Sequence, residues 1–460
     1  MFRKVLVANR GEIAVRIIRA LREMNIISVA VYSTADKEAM HTQLADEAIC
    51  IGPAKSLDSY QNPVAILSAA MATGCDAIHP GYGFLSERSD FVAMCEELGI
   101  QFIGPQSQTI ELMGNKQNAR QTMIASGIPV TPGSEGLVHT WQEATTIADQ
   151  IGFPLMIKAA DGGGGKGMRR VENADDFKKL FEQAQIETQN VYGNQDLYIE
   201  KIIYPARHIE IQLIADHYGK VLHLGERDCS LQRRNQKVIE IAPAVTLPEA
   251  TKEALWQMAV KAAQAIEYQN AGTIEFLVDD DYNFYFMEMN TRLQVEHPIT
   301  ELITGIDIVK EQIKIAMGQP LALNQQDIHF TGVAIECRLN AEDSNFDFRA
   351  SSGHIDRLIL PAGPHVRIES GIYSNYFLPP YYDSMVAKII SYGHDLNDAM
   401  LIMERALSEV VVEGITTNID LLQALIMNDE VQTLNFHTKW LEESFLPQWL
   451  KREEGLNGII

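Results

Sequence analysis

Pro154-Leu155-Met156-Ile157-Lys158, then Asp161-Gly162-Gly163-Gly164-Gly165-Lys166-Gly167, then Met168-Arg169-Arg170-Val171, is the stretch on which the fold turns. Both flanks read as strands. The glycines satisfy G-x-G-x-x-G at Gly162, Gly164 and Gly167, but that dinucleotide fingerprint needs a helix after the loop. The phosphate-loop pattern is not met either. Strand–loop–strand gives instead a hairpin tip whose backbone N–H groups can close over phosphates, with Lys158 and Lys166 adding charge. A plain surface turn remains the alternative, although four consecutive glycines cost backbone entropy that such a turn does not require.

Upstream, short apolar runs alternate with helical periodicity. Val5-Leu6-Val7 is a strand, and Ile13, Ile17, Leu21 and Met24 recur at helical spacing. Strands at Ser28–Tyr32, Ala77-Ile78 and Gln101–Ile103 and helices near 63–72 and 90–98 follow, a pattern of helix-covered parallel sheet. The first turn, Asn9-Arg10-Gly11-Glu12, holds one glycine, so the scaffold is Rossmann-like without a dinucleotide fingerprint. A Gly/Pro-punctuated stretch near 114–135 marks a boundary. Hairpins and helices fill about 136–320, and an α+β module with a strand at Val333–Arg338 and a helix over 396–409 fills about 331–445. Residues 447–460 are weakly patterned and expected to fray.

The 460 residues are 46% hydrophobic and 22% charged, enough for large cores and against disorder. With 38 basic and 61 acidic residues the net charge is −23, which opposes general binding to nucleic acid or anionic lipid. No apolar run approaches the ~20 residues that span a bilayer. Met1–Ala8 is too short an apolar run for a signal peptide. Cys50, Cys75, Cys95, Cys229 and Cys337 form no CxxC pair and read as reduced, buried thiols of a cytoplasmic protein without zinc.

Gly272–Val278 and Phe284–Asn290 read as a hairpin around the polar Asp279–Asn283 turn. If Val278 pairs with Tyr285, Glu275 falls opposite Glu288, and like charges so placed destabilise a hairpin unless a cation compensates. Oxygen ligands favour Mg²⁺ or Mn²⁺. If the strand continues, Glu288, Asn290 and Arg292 share one face within ~14 Å of chain. Arg227, Arg233, Arg234 and Lys237 crowd a segment without helical amphipathicity, which is expected to be a ligand-facing loop.

Together these strings resemble the biotin carboxylase family, the ATP-grasp subunits of biotin-dependent carboxylases. The likeness rests on Val7–Ala14, His79-Pro80-Gly81-Tyr82-Gly83-Phe84-Leu85-Ser86-Glu87, the glycine run, Glu226-Arg227-Asp228-Cys229-Ser230 and Glu288-Met289-Asn290-Thr291-Arg292-Leu293-Gln294-Val295-Glu296-His297-Pro298, and runs to about residue 445. It implies a Rossmann-like domain over 1–113, an ATP-grasp domain over 114–330 with a flap subdomain at about 131–203, an α+β C-terminal domain over 331–446, and a tail. It also implies that MgATP phosphorylates bicarbonate and that the carboxyphosphate formed delivers CO₂ to N1′ of biotin.

By matching positions, the resemblance makes Lys116, Lys158, Glu200, Lys201, Ile202, Ile203, His208, Gln232 and Asn235 nucleotide contacts, with Gly164 and Gly165 in the flap. Glu275, Glu288 and Asn290 would hold the metal. Lys237, Arg292 and the backbone of Val295 would hold bicarbonate, with Glu296 as its base. Tyr82, Gly83 and Arg338 would meet biotin, Arg338 stabilising the enolate.

Three features depart from the family pattern. Asn235 stands where histidine is common, so altered ATP affinity is expected. Phe348–Gly353 lacks the usual prolines, and Pro364 replaces an aromatic at the dimer interface, near Arg19, Glu23 and Arg367. A homodimer is nevertheless expected. The 460 residues hold no Ala-Met-Lys-Met string, so a separate biotin carboxyl carrier protein and carboxyltransferase subunits are the expected partners of a free-standing subunit. Acetyl-CoA carboxylase is the favoured setting, with pyruvate- or propionyl-CoA-type carboxylases, another ATP-grasp ligase and a non-catalytic regulatory subunit as alternatives.

Overall fold

A computed structural model describes residues 1–159 and 168–457. Gly164 and Gly165 therefore lie outside the described residues. The chain forms two compact units. The larger holds Met1–Gly114, Arg207–Glu275 and the described residues from Glu288 onward; the smaller holds the described residues of Asn115–Ala206 with Phe276–Met287.

The larger unit opens on a parallel sheet in the order Glu47–Gly52, Ile27–Ser33, Lys4–Val7, Ala77–His79, Gln101–Phe102. The helix Gly11–Glu23 buries Ile13, Ile17 and Leu21, the stripe its spacing dictates. Asn62 caps the helix Pro63–Thr73 by accepting from Ala65 N, and Gly74, at φ 67°, ends it in the left-handed conformation that favours glycine.

Its second element is a sheet that includes, in this order, Val221–Arg233, Gln236–Ala242, Val333–Asn340, Met385–Gly393 and Val366–Ser370. Strands from both sides of position 330 share it. Period-2 alternation splits its central strands. Ile239, Ile241, Ile335, Cys337, Leu339 and Ile389 enter one hydrophobic core with Met403, Leu407 and Leu425. On the other face Ala242, Ala334 and Ile390 pack against Ile299 and Ile303 of the helix His297–Thr304. That same face carries Glu336 and, reaching the site, Glu240, Arg338 and Lys388.

In the smaller unit, Leu155–Ala159 pairs antiparallel with Met168–Val171 on one side and Leu197–Lys201 on the other. Leu155, Ile157 and Ala159 face Phe177, Phe181, Leu197 and Ile199, while Met156 and Lys158 alternate outward. The strands on either side of the glycine run are thus partners, Lys158 opposite Met168, and no helix begins at Met168.

Four expectations are corrected. The cationic segment is not a loop: Arg227 and Arg233 lie in the strand Val221–Arg233, Lys237 lies in Gln236–Ala242, and only Arg234 and Asn235 form the turn, at φ 48° and 63°. The strand bearing Glu288 ends at Asn290, so Arg292 lies beyond it. Residues Leu446–Asn457 form a helix. Four cysteines are buried, but Cys50 is exposed.

Candidate active site

The C-terminal ends of Lys4–Val7 and Ala77–His79 are where a doubly wound sheet leaves its ligand crevice. Asn9 spans them, its Nδ2 donating to Pro80 O at 2.7 Å and Tyr82 O at 2.8 Å. A Cβ at Gly81 would lie 2.9 Å from that nitrogen, so the close approach requires glycine there. Tyr82 and Gly83 are thereby fixed on a loop whose end carries Glu87. One Glu87 oxygen accepts from Thr291 N at 3.1 Å and the other from Arg292 Nε at 2.7 Å.

Arg292 is held at several further points. Its Nη1 donates to Leu293 O at 3.2 Å and Gln294 Oε1 at 3.0 Å, and its Nη2 to Asn290 Oδ1 at 3.1 Å. Hydrogen bonds, not a shared strand face, bring Asn290 and Arg292 together.

Glu275 is buried and accepts on Oε1 from Asn290 Nδ2 at 2.8 Å, Gln294 Nε2 at 3.0 Å and Lys237 Nζ at 3.0 Å. Its Oε2 lies 2.8 Å from His208 Nε2. Burial alone would raise its pKa, but Lys237 and His208 outweigh that and hold it well below the usual carboxylate range. Burial likewise favours neutral His208, and Glu275 reverses this and raises its pKa.

Lys237 uses its three protons on three carboxylates: Glu210 Oε2 at 2.5 Å, Glu275 Oε1 at 3.0 Å and Glu296 Oε1 at 2.6 Å. Glu210 also pairs with Arg227, whose guanidinium is fully buried and donates to Gln212 and Thr300. Glu296, fully buried, accepts on Oε2 from Arg338 Nη2 at 2.9 Å. Its burial favours the acid form, yet Lys237, Arg338 and Arg227 keep it well below the ordinary range, so it is ionised. Arg338 Nε donates to Glu240 Oε1 at 2.6 Å. Lys388 Nζ, fully buried, donates to Val295 O at 2.8 Å and lies 5.9 Å from the Tyr82 ring centroid.

Gln232, buried, sits in register with Lys237 beside the turn bearing exposed Asn235. Glu288 is exposed. With Glu275 and Asn290 it offers two carboxylates and an amide oxygen, a hard donor set that fits Mg²⁺ or Mn²⁺. In the smaller unit, exposed Lys116 begins the helix Lys116–Ala125. Lys158 forms an ion pair with Glu200, which lies diagonal to it on the adjacent strand. Lys201 Nζ donates to Phe153 O at 2.5 Å, and half-buried Ile202 and Ile203 follow the same strand.

Residues 1–110 match the family described as biotin carboxylase, N-terminal domain; 115–324 match carbamoyl-phosphate synthase L chain, ATP binding domain; 336–443 match biotin carboxylase C-terminal domain. Biotin carboxylase 1 of Bacillus subtilis is 51% identical over 443 residues, 96% of this chain and 98% of that protein. The chain belongs to the biotin carboxylase family. Among solved structures, the biotin carboxylase–β-γ-ATP complex from Campylobacter jejuni superposes with a TM-score of 0.91 at 47% identity, covering 96% of this chain and 99% of that one. The biotin carboxylase domain dimer of Hydrogenobacter thermophilus 2-oxoglutarate carboxylase, in complex with MgADP, ADP and bicarbonate, gives 0.89 at 46% identity, covering 96% and 98%. The chain is therefore an enzyme with the family's ATP-grasp fold.

Lys388, Glu240, Glu210 and Gln294 escaped the sequence reading as site residues. A signal was present for two of them: Glu240 interrupts the apolar run 238–242 and Lys388 the apolar run 385–390, positions that a charged side chain occupies only when paired or protonated.

Proposed function

We propose that the chain uses ATP and bicarbonate to carboxylate biotin carried on a separate protein, through carboxyphosphate, as the first half-reaction of an acetyl-CoA carboxylase. The observation that carries this is Glu296: a fully buried, ionised carboxylate with Lys237 on one oxygen and Arg338 on the other. A buried base between two cations suits removal of a proton from an oxyanion whose remaining charge those cations then hold.

Glu296 takes the bicarbonate proton while Lys237, Arg292 and the backbone of Val295 hold the anion; the guanidinium fork matches its planar oxygens. Bicarbonate oxygen then bonds to the γ-phosphorus as the bond to ADP breaks. Such a transfer depends mainly on positioning and charge neutralisation. Lys116, Lys158, Glu200, Lys201, Ile202, Ile203, His208, Gln232 and Asn235 bind the nucleotide. Glu275, Glu288 and Asn290 would hold Mg²⁺, which when bound neutralises phosphate charge. Carboxyphosphate breaks down to CO₂ and phosphate; the released phosphate takes the N1′ proton of biotin, and N1′ bonds to CO₂. Tyr82 and Gly83 place the biotin ring, and Arg338 holds the oxygen that gains charge.

The biotin carboxyl carrier protein and carboxyltransferase subunits are the proposed partners, and a homodimer the proposed assembly, as in the Hydrogenobacter structure. The proposed site of action is the cytoplasm; among the described residues no helix is long and apolar enough to cross a membrane. That 2-oxoglutarate carboxylase shares the domain at 46% identity supports a second reading, in which another acceptor is served by the same chemistry. Labelled bicarbonate, ATP and free biotin test the reaction: label in acid-labile carboxybiotin supports it, and none refutes it. Transfer from the carboxylated carrier to acetyl-CoA, and not to pyruvate or 2-oxoglutarate, tests the acceptor.

A further inference from the structure

We propose that Glu240 is a positioning residue for Arg338, keeping the guanidinium in place when Glu296 takes up its proton. The proton transfer that activates bicarbonate thereby frees one arm of Arg338 for the biotin oxygen. This rests on the roles proposed above for Glu296 and Arg338.

Arg338 spans two carboxylates, Nε to Glu240 Oε1 at 2.6 Å and Nη2 to Glu296 Oε2 at 2.9 Å. Only Glu296 changes charge in the reaction. Once protonated it no longer carries a negative charge, so its ion-pair attraction for the guanidinium is lost and only a hydrogen bond from the cationic donor remains. The cation is then held by Glu240 alone, and Nη2 can exchange Glu296 for a developing enolate. Without Glu240, protonating Glu296 would leave a buried guanidinium with no direct counter-ion.

The surroundings keep Glu240 in that role. It lies in register with Glu336 on the neighbouring strand, and both are fully buried. The Glu336 oxygens accept no hydrogen bond from the described residues. Two facing buried carboxyls cannot both ionise, and burial pushes Glu336 well above the usual range, so it carries the proton. Arg338 leaves the charge on Glu240. The other titratable groups acting on this pair are Lys388 from Met385–Gly393, in register with Arg338, Lys237 from Glu240's own strand, Glu296 at the helix start, and the buried Cys229 and Cys337 thiols, which burial keeps neutral.

Glu240→Gln keeps the size and an acceptor while removing the charge. Carboxybiotin formed per ADP is expected to fall at least about fivefold, with a raised biotin KM. Burial pushes Glu240 up to about 7, so the wild-type ratio should fall as pH drops below neutrality, a limb the variant lacks. Glu336→Gln replaces a carboxyl that is already neutral and should couple within about twofold of wild type. The assignment is overturned if Glu240→Gln couples like wild type, if its acid limb persists, or if Glu336→Gln loses coupling equally. Absence of carboxybiotin with the wild-type enzyme would overturn the parent reading, and this one with it.

Discussion

Arg338 Nη2 lies 2.9 Å from Glu296 Oε2, so the residue assigned to biotin and the residue assigned to bicarbonate are in direct contact. The two partial reactions therefore share one electrostatic unit, and substitutions at its two ends should separate them.

Glu296→Ala should abolish bicarbonate-dependent turnover and leave nucleotide binding nearly intact. Lys237 retains Glu210 and Glu275 as partners, so its ammonium stays paired. Binding titrations with ATP beside turnover assays check this; equal collapse of both removes Glu296 from the role of base.

Arg338→Ala should preserve bicarbonate-dependent ATP hydrolysis but uncouple it from biotin carboxylation. The measurement is ADP released against carboxybiotin formed, and unchanged coupling excludes Arg338 from the biotin step.

Asn235→His should lower the ATP KM. Asn235 sits at φ 63°, a left-handed conformation that asparagine and histidine both adopt more readily than most residues, so the turn tolerates the exchange. An unchanged KM would show that the side chain at this turn makes no contact with the nucleotide.

Burial holds His41 down to about 4, with its Nε2 against Val31 O at 3.2 Å. The unfolded chain binds a proton there below about pH 6.5 that the folded chain refuses, so this group's contribution to stability is lost as pH falls from 6.5 toward 4. The loss is about 1.4 kcal/mol per pH unit. Relative to wild type, His41→Gln should gain stability on acidification through that window in urea unfolding; a pH-independent difference contradicts the assignment.

Much of this architecture was legible in single residues. Ile13, Ile17 and Leu21 announced the first helix, and the strands flanking the glycine run excluded both nucleotide fingerprints. The segment holding Arg227 was misread because its strand is buried while carrying charge, and the apolar signal that marks buried strands is missing there. Lys388 meets Val295 from 93 residues away, and Arg338 meets Glu240 from 98. The second pairing comes from strand order in a sheet and the first from the connection before the helix His297–Thr304 meeting that sheet, neither of which local periodicity encodes. Leu446–Asn457 is helical although its polar sequence carries little pattern.

ATP hydrolysis by the purified chain, without bicarbonate, with it, and then with free biotin, tests the central claim most directly. Hydrolysis that requires bicarbonate and rises with biotin is the predicted result. Hydrolysis indifferent to both would contradict it and point to a different ligase, and tight ATP binding without hydrolysis would mark a regulatory subunit.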